Sequence, residues 1–183
     1  MLQADEIEAF LLQYYALAAN AYSRGTWIAP ESTIIDRTKG SPSFATPAGV
    51  TAPILLKWAL VWEDPHSRTL WLGRALPRVW LEDGEEVAVA DASSAYGRVG
   101  YTIRSSLQTN ETVRASITLP AVAWPPGGIK LWLRAPAFPA KHLSAVTVGG
   151  ANWPHFHSTE ETVLFAAAPA DVNALQKIVA TWA

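Results

Sequence analysis

At the start of the chain the apolar positions recur with the period of a helix. Ile7, Phe10, Leu11, Tyr14, Ala18 and Tyr22 follow the i, i+3, i+4, i+7 spacing of one buried face and predict a helix over 5–23. Asp5 and Glu8 stand at capping-box spacing, and Gly25 sits where a left-handed C-cap residue is expected. Residues 24–46 carry Pro30, Gly40, Pro42 and several Ser and Thr, so they read as a long connection. Connections of that length in compact domains are often functional. A second helix is predicted over 48–63, with Thr46 as cap and Pro47 at its first position. Pro53 must then kink it or set a later start near residue 52. From Ala52 to Trp62 the sequence is apolar apart from Lys57. A helix apolar nearly all round is buried on most sides. One partner helix and a small sheet cannot cover it, so further neighbouring structure is expected.

After Glu63-Asp64-Pro65 the period falls to two. Leu70 and Leu72 lead a first strand, and Val87 and Val89 alternate with small or polar residues after the turn at Asp83-Gly84. Val99, Tyr101 and Ile103 form a third alternating run, and Val113, Ala115, Ile117 and Leu119 the cleanest half-buried strand. Ile129, Leu131 and Leu133 make another, with shorter strands around Val146–Val148, Thr162–Phe165 and Ile178–Trp182. Roughly eight short strands separated by turn signals indicate a sandwich. The predicted fold class is α+β: a helical hairpin over 1–65, then an antiparallel β-sandwich over 66–183.

Composition adds one point and removes several. Half of the 183 residues are hydrophobic and 16% are charged, which argues against disorder and suggests that part of the surface is normally covered. Nine tryptophans point the same way, although an aromatic-rich β core accounts for them equally well. A net charge of −2 with scattered Lys and Arg gives no electrostatic case for nucleic acid or an anionic membrane. With no cysteine there are no disulfides, thiolate metal sites or cysteine nucleophile. No run of about 18 apolar residues is present to span a bilayer. Residues 1–25 lack the basic start and small-residue cleavage site of a signal peptide. There is no phosphate-binding or dinucleotide fingerprint and no Gly-x-Ser-x-Gly elbow, so no cofactor is expected. His155 and His157 would share a face on a strand, but a third metal ligand is lacking and an exposed turn pair is the simpler expectation. Asn110-Glu111-Thr112 matches a glycosylation sequon by pattern, in a predicted hairpin turn.

Two groups of residues carry a family resemblance. The first is Tyr14-Tyr15, Arg24-Gly25-Thr26-Trp27 and Leu55-Leu56-Lys57-Trp58. The second is Leu70-Trp71-Leu72-Gly73, Pro77-Arg78-Val79-Trp80-Leu81, Asp83-Gly84 and Tyr96-Gly97-Arg98-Val99. Together they resemble the end of bacterial six-hairpin glycosidases, rhamnosidase-like and related families. In those enzymes a catalytic (α/α)6 barrel is commonly followed by a β-sandwich. Lys130-Leu131-Trp132-Leu133-Arg134 and Ala145-Val146-Thr147-Val148-Gly149-Gly150 resemble the closing strands of such sandwiches, with Gly149 where an asparagine is usual. Twelve helices of about 12 residues already need well over 100 residues. The two helices here then correspond to the last hairpin of a barrel whose remainder is missing.

Hydrolysis of a glycosidic bond generally uses two flanking carboxylates. The long connection offers Glu31 and Asp36, with Trp27 as a stacking platform for a sugar and Arg24 as a partner for its hydroxyl or carboxylate groups. The resemblance implies that Glu31 is a catalytic or pocket-lining carboxylate and that Trp27, Arg24 and Asp36 bind substrate. The plainer alternative makes Glu31 a solvated loop acid and packs Trp27 against the helix. Two functions follow. One is a C-terminal fragment of a glycoside hydrolase, bound to a missing barrel and inert alone. The other is a non-catalytic carbohydrate-binding or structural sandwich with a helical extension, presenting exposed rings such as Trp132. Self-association through the apolar helix 52–62 is a third use of the same surface.

Overall fold

The computed structural model of the protein describes residues 1–22, 29, 45–119, 124–136 and 142–183. They form two compact units, Met1–Ala59 and Leu60–Ala183.

The first unit holds helix α1 (Ile7–Ala21) and most of helix α2 (Thr46–Leu60). Ile7, Phe10, Leu11 and Tyr22 are buried, as their spacing requires. The expected Asp5–Glu8 capping box does not form. A single 3₁₀ turn, Leu2–Ala4, ends on Asp5 in the left-handed region at φ 61°, and Glu6 becomes the N-cap without a side-chain bond. An N-cap residue typically needs extended backbone, which Asp5 does not have. Helix α1 stops at Ala21 because Tyr22 is extended (φ −102°, ψ 134°), and Gly25 lies outside the described residues.

Tyr22 leaves the helix in order to repair another. Pro53 lies inside α2 and has no N–H, so the carbonyl of Gly49 loses its partner four residues on. The Tyr22 hydroxyl lies 2.8 Å from the Ala48 carbonyl oxygen and 3.0 Å from that of Gly49, sharing one proton between them. It also accepts the Ala52 N–H at 3.0 Å, a donor that would otherwise serve Ala48. One phenol thus closes a gap in the ladder that a proline opened, and α2 starts at Thr46 rather than beyond Pro53. Tyr22, Ala29 and Ala52 form a small buried cluster around this bridge, with Tyr14, Leu17 and Ala48 packed on it.

The second unit has eleven strands among the described residues. Five make one sheet, in the order β1 (Val61–Glu63), β2 (Leu70–Leu72), β6 (Ile129–Trp132), β10 (Thr162–Phe165), β9 (Phe156–His157). Six make the other, in the order β3 (Glu86–Ser94), β4 (Gly97–Ser106), β5 (Thr112–Thr118), β11 (Ile178–Trp182), β7 (Leu143–Val148), β8 (Ala151–Asn152). Alternate residues from both sheets enter one core. Leu70, Leu72, Ile129, Leu131, Val163 and Phe165 meet Val99, Tyr101, Ile103, Val113, Ile117 and Ile178. The sheets are antiparallel except where β2 runs parallel to β6, a correction to the all-antiparallel expectation. After β2 the chain crosses to the other sheet for β3, β4 and β5 before it returns as β6. No hairpin therefore obliges the two to be antiparallel. Val61–Glu63 was expected to end the second helix; it pairs instead with β2, Val61 opposite Leu72 and Glu63 opposite Leu70.

Between the sheets a single 3₁₀ turn (Arg78–Leu81) leads into the Asp83-Gly84 turn, where Gly84 takes φ 87°. Asp83 reaches the short helical turn α3 (Leu107–Asn110), whose N-cap Ser106 gives no side-chain bond. Its carboxylate accepts the Thr109 hydroxyl at 2.9 Å and the backbone N–H groups of Gln108 and Thr109 at 2.9 and 3.3 Å. The Thr109 hydroxyl and these N–H groups hold the Asp83 carboxyl below its ordinary value.

Two outcomes follow. Tyr22→Phe is expected to cost about 1–3 kcal/mol in the helical unit by denaturation followed in the far-ultraviolet, since it strands the Gly49 carbonyl. Adding Pro53→Ala returns an N–H to that carbonyl and recovers part of the loss, whereas an equal loss in both backgrounds contradicts the bridge. For Asp83 the depressed value means that its contribution is complete above the ordinary carboxylate pKa and disappears as pH falls through the folded one. Melting temperature against pH should lose that part of its acid limb in Asp83→Asn, and an unchanged limb would sink the assignment.

Candidate functional site

Arg24, Trp27, Glu31 and Asp36, the residues expected to line a substrate pocket, all lie outside the described residues. Among the described residues, chemistry concentrates where β2 and β6 leave the five-stranded sheet. Because these strands are parallel, their C-terminal ends emerge together, and antiparallel β10 begins at the same end, with Thr162 opposite Trp132. Gly73 turns the chain there at φ 72°, where a Cβ would lie 2.9 Å from the Trp132 carbonyl oxygen. Only glycine combines that angle with that approach.

Alternation points Leu70, Leu72, Ile129 and Leu131 into the core and therefore puts Trp71, Lys130 and Trp132 on the opposite face. The rings of Trp71 and Trp132 are 5.8 Å apart. The Arg74 guanidinium lies 4.2 Å from the Trp71 ring and 5.0 Å from that of Trp132. Arg134 adds a contact at 5.0 Å to Trp132, and Lys130 one at 4.7 Å to Trp71. Cations and rings thus alternate along a ladder. Arg74 and Arg134 are only 6% and 3% exposed, so their ring contacts belong to the stronger, desolvated class, at about 2 kcal/mol.

Arg134, together with Arg78, ties down the crossing segment. Arg134 donates through Nε to the Leu76 carbonyl at 2.7 Å. Arg78 donates to the Ala135 carbonyl and to Glu161 Oε2, the latter at 2.7 Å. Burial pushes the Glu161 carboxyl above its ordinary value, and the hydrogen bond and charge of Arg78 with the charge of Arg134 offset only part of that. Arg78 belongs to the Pro-Arg-x-Trp-Leu stretch singled out in the sequence, and its work in the fold is to clamp that stretch to the end of β6. Arg74, Arg134 and Glu161 were not anticipated. The available signal was an arginine closely following each tryptophan, in Trp71-x-x-Arg74 and Trp132-x-Arg134.

Trp132 was expected to offer an exposed face if the sandwich bound sugars. It is 9% exposed, with Trp71 and the two guanidinium groups against it. His157 Nδ1 accepts the Glu160 N–H at 3.3 Å, and His155 meets the Trp153 ring edge-on at 5.3 Å. No group of three His, Asp or Glu residues suited to a metal occurs among the described residues. No helix of the described residues is long and apolar enough to cross a membrane.

Arg134→Met is expected to destabilise the β unit by about 3 kcal/mol or more in urea denaturation, because it removes one partner from a buried charged network. Arg134→Lys should recover little, since a single ammonium lacks the planar fork that both bonds Leu76 and stacks on Trp132. A change within about 0.5 kcal/mol for Arg134→Met, the range of an ordinary surface substitution, would contradict the clamp.

No family model matches the chain, and neither a curated protein nor a solved structure matches it.

Proposed function

We propose that the chain is the C-terminal part of a six-hairpin glycoside hydrolase. In this reading α1 and α2 are the last hairpin of an (α/α)6 barrel and the β unit is its accessory sandwich. The connection carrying Arg24, Trp27, Glu31 and Asp36 supplies one wall of the sugar pocket, with Glu31 as a catalytic carboxylate. Alone, the chain is catalytically inert, because glycoside hydrolysis needs a second carboxylate and a closed pocket.

One observation carries this beyond the sequence resemblance: both helices have a second apolar stripe. On α1 Leu12 and Tyr15 are 72% and 46% exposed, in line with the exposed small residues Ala16 and Ala19. On α2 Val50, Ile54 and Trp58 recur at i, i+4, i+8 and are 45%, 42% and 39% exposed, while Ala52 and Ala59 are buried. Each large apolar side chain left in water forgoes up to about 1.5–3 kcal/mol of burial. A helix inside a ring of helices has neighbours on both flanks, and two stripes are what that position needs. The rival reading as a sugar-binding sandwich gains no support at Trp132, whose ring is covered.

Two measurements test the proposal. The purified chain is expected to leave aryl glycosides unhydrolysed, and turnover on the order of 1 s⁻¹ would overturn its inertness. The DNA immediately upstream is expected to encode further amphipathic hairpins in frame. A coding region without them would end the barrel reading and leave self-association through Val50, Ile54 and Trp58 as the use of the stripe.

A further inference from the structure

Strand β1 ends the five-stranded sheet and β3 ends the six-stranded one, and the tips of their hairpins meet. Glu63 Oε2 accepts the Ala95 N–H at 2.9 Å, and the Tyr96 hydroxyl donates to the Arg68 carbonyl at 3.3 Å. Tyr96 is partly buried against the core. The tip of the β3–β4 hairpin thus leans across to the other sheet. An irregularity sits just before that tip. Val89 pairs with Tyr101 and Ala92 with Val99, so Ala90 and Asp91 together face the single residue Gly100. This is a β-bulge, and a bulged strand bends and twists more strongly than a regular one. Asp91 takes φ 57°, a left-handed conformation uncommon outside glycine but within reach of aspartate. A Cβ on residue 100 would lie 3.2 Å from the Val89 carbonyl oxygen and 3.8 Å from the Asp91 nitrogen, so glycine lets the bulged backbone press against β4.

The bulge falls on the sheet edge that most needs one. A long, straight edge strand offers a row of unpaired N–H and C=O groups to another chain. The other three end strands, β1, β8 and β9, have only two or three residues each, and shortness protects them. Strand β3 has nine, with a strand on one side only among the described residues. Charge gives that edge little protection. Asp91 lies 3.6 Å from Arg98 and Glu86 3.9 Å from Arg104, so the acids on β3 are each balanced by a β4 arginine. Shape is left to do it, and the bulge divides the edge at Ala90-Asp91 and turns its end away. The partner that a straight β3 would suit is β3 itself, because a two-fold axis beside the strand pairs it antiparallel with its own copy. We infer that the bulge guards this edge: by bending β3 toward the other sheet it keeps the strand from pairing with β3 of a second copy of the chain. The device lies wholly within Leu60–Ala183 and does not depend on the origin assigned to the helices.

Deleting Ala90 from the full chain tests this, because Asp91 then faces Gly100 alone while Val89–Tyr101 and Ala92–Val99 keep their register. The deletion variant is expected to self-associate more strongly than the wild type in sedimentation. Its β3 amides should gain protection from hydrogen exchange as the protein concentration rises. Resonances of Ala95 and Tyr96 should shift as the tip leaves Glu63 and Arg68, while those of Val146 and Ile178 in the core stay in place. Any association through the helices is common to both chains and cancels in the comparison. Two substitutions serve if the deletion variant does not fold. Valine disfavours the left-handed backbone and glycine adopts it freely. The bulge should be about tenfold less favoured in Asp91→Val than in Asp91→Gly, although both lose the same charge. Asp91→Val is therefore expected to associate more strongly than the wild type, and Asp91→Gly no more strongly. Association no stronger than wild type in the folded deletion variant or in Asp91→Val overturns the inference, and so does equal association of Asp91→Gly and Asp91→Val.

Discussion

A helix that is apolar on two sides can hide only one of them against a single neighbour. That constraint governs the first 60 residues. Helix α2 carries Lys57 as its one charge, and Val50 and Ile54 are exposed on it although Ala52 and Ala59 are buried. A soluble domain usually puts charge on such a face, and here the chain does not. The bridge from Tyr22 to Ala48, Gly49 and Ala52 shows that the unit is nevertheless specified rather than loosely collapsed. A buried phenol placed at the break left by a proline fixes where the two helices meet. The surface they leave uncovered is thus a consistent face of a defined arrangement.

The β unit answers the opposite problem, how to hold a chain that changes sheets. After β2 the backbone turns at Gly73 and crosses to the second sheet, and the crossing segment has few ladder bonds of its own. Arg134 on the Leu76 carbonyl and Arg78 on Ala135 and Glu161 provide the fixings, and the Trp71-Arg74-Trp132-Arg134 ladder holds the guanidinium groups in place. Asp83 then caps α3 on the far side of the crossing. Residues that looked like marks of a family in the sequence, Pro77-Arg78 and Asp83-Gly84, therefore have local physical reasons to be what they are. Those reasons hold whatever activity the intact protein has.

Periodicity made the two helices and the longer strands legible, because Ile7 to Tyr22 and Val113 to Leu119 repeat often enough for a period to show. It failed where elements are short. Val61–Glu63, Ala151–Asn152 and Phe156–His157 are too brief to display alternation, and the first was absorbed into the end of the preceding helix. The parallel pairing of β2 with β6 was out of reach because pairing direction depends on the route between strands, which alternation does not encode. Trp132 was expected to present an exposed ring, yet Trp71 and Arg74 from the end of β2 and Arg134 just beyond its own strand cover it. The bulge in β3, where Ala90 and Asp91 together face Gly100, was hidden for a related reason: it is a property of two strands together. The proposed pocket residues Arg24, Trp27, Glu31 and Asp36 rest on the sequence alone.

Under the proposed function the helical unit is one piece of a larger helical assembly, whereas the β unit folds around a core of its own. Native-state hydrogen exchange of the chain by itself tests this most directly, because it assigns a free energy of opening to each segment. Amides of α1 and α2 are expected to exchange through a low-energy opening of their own, well below the level at which β4, β5 and β11 exchange. Protection of the helices equal to that of those central strands would contradict this, since the exposed Leu12, Tyr15, Val50 and Ile54 would then need nothing further to cover them.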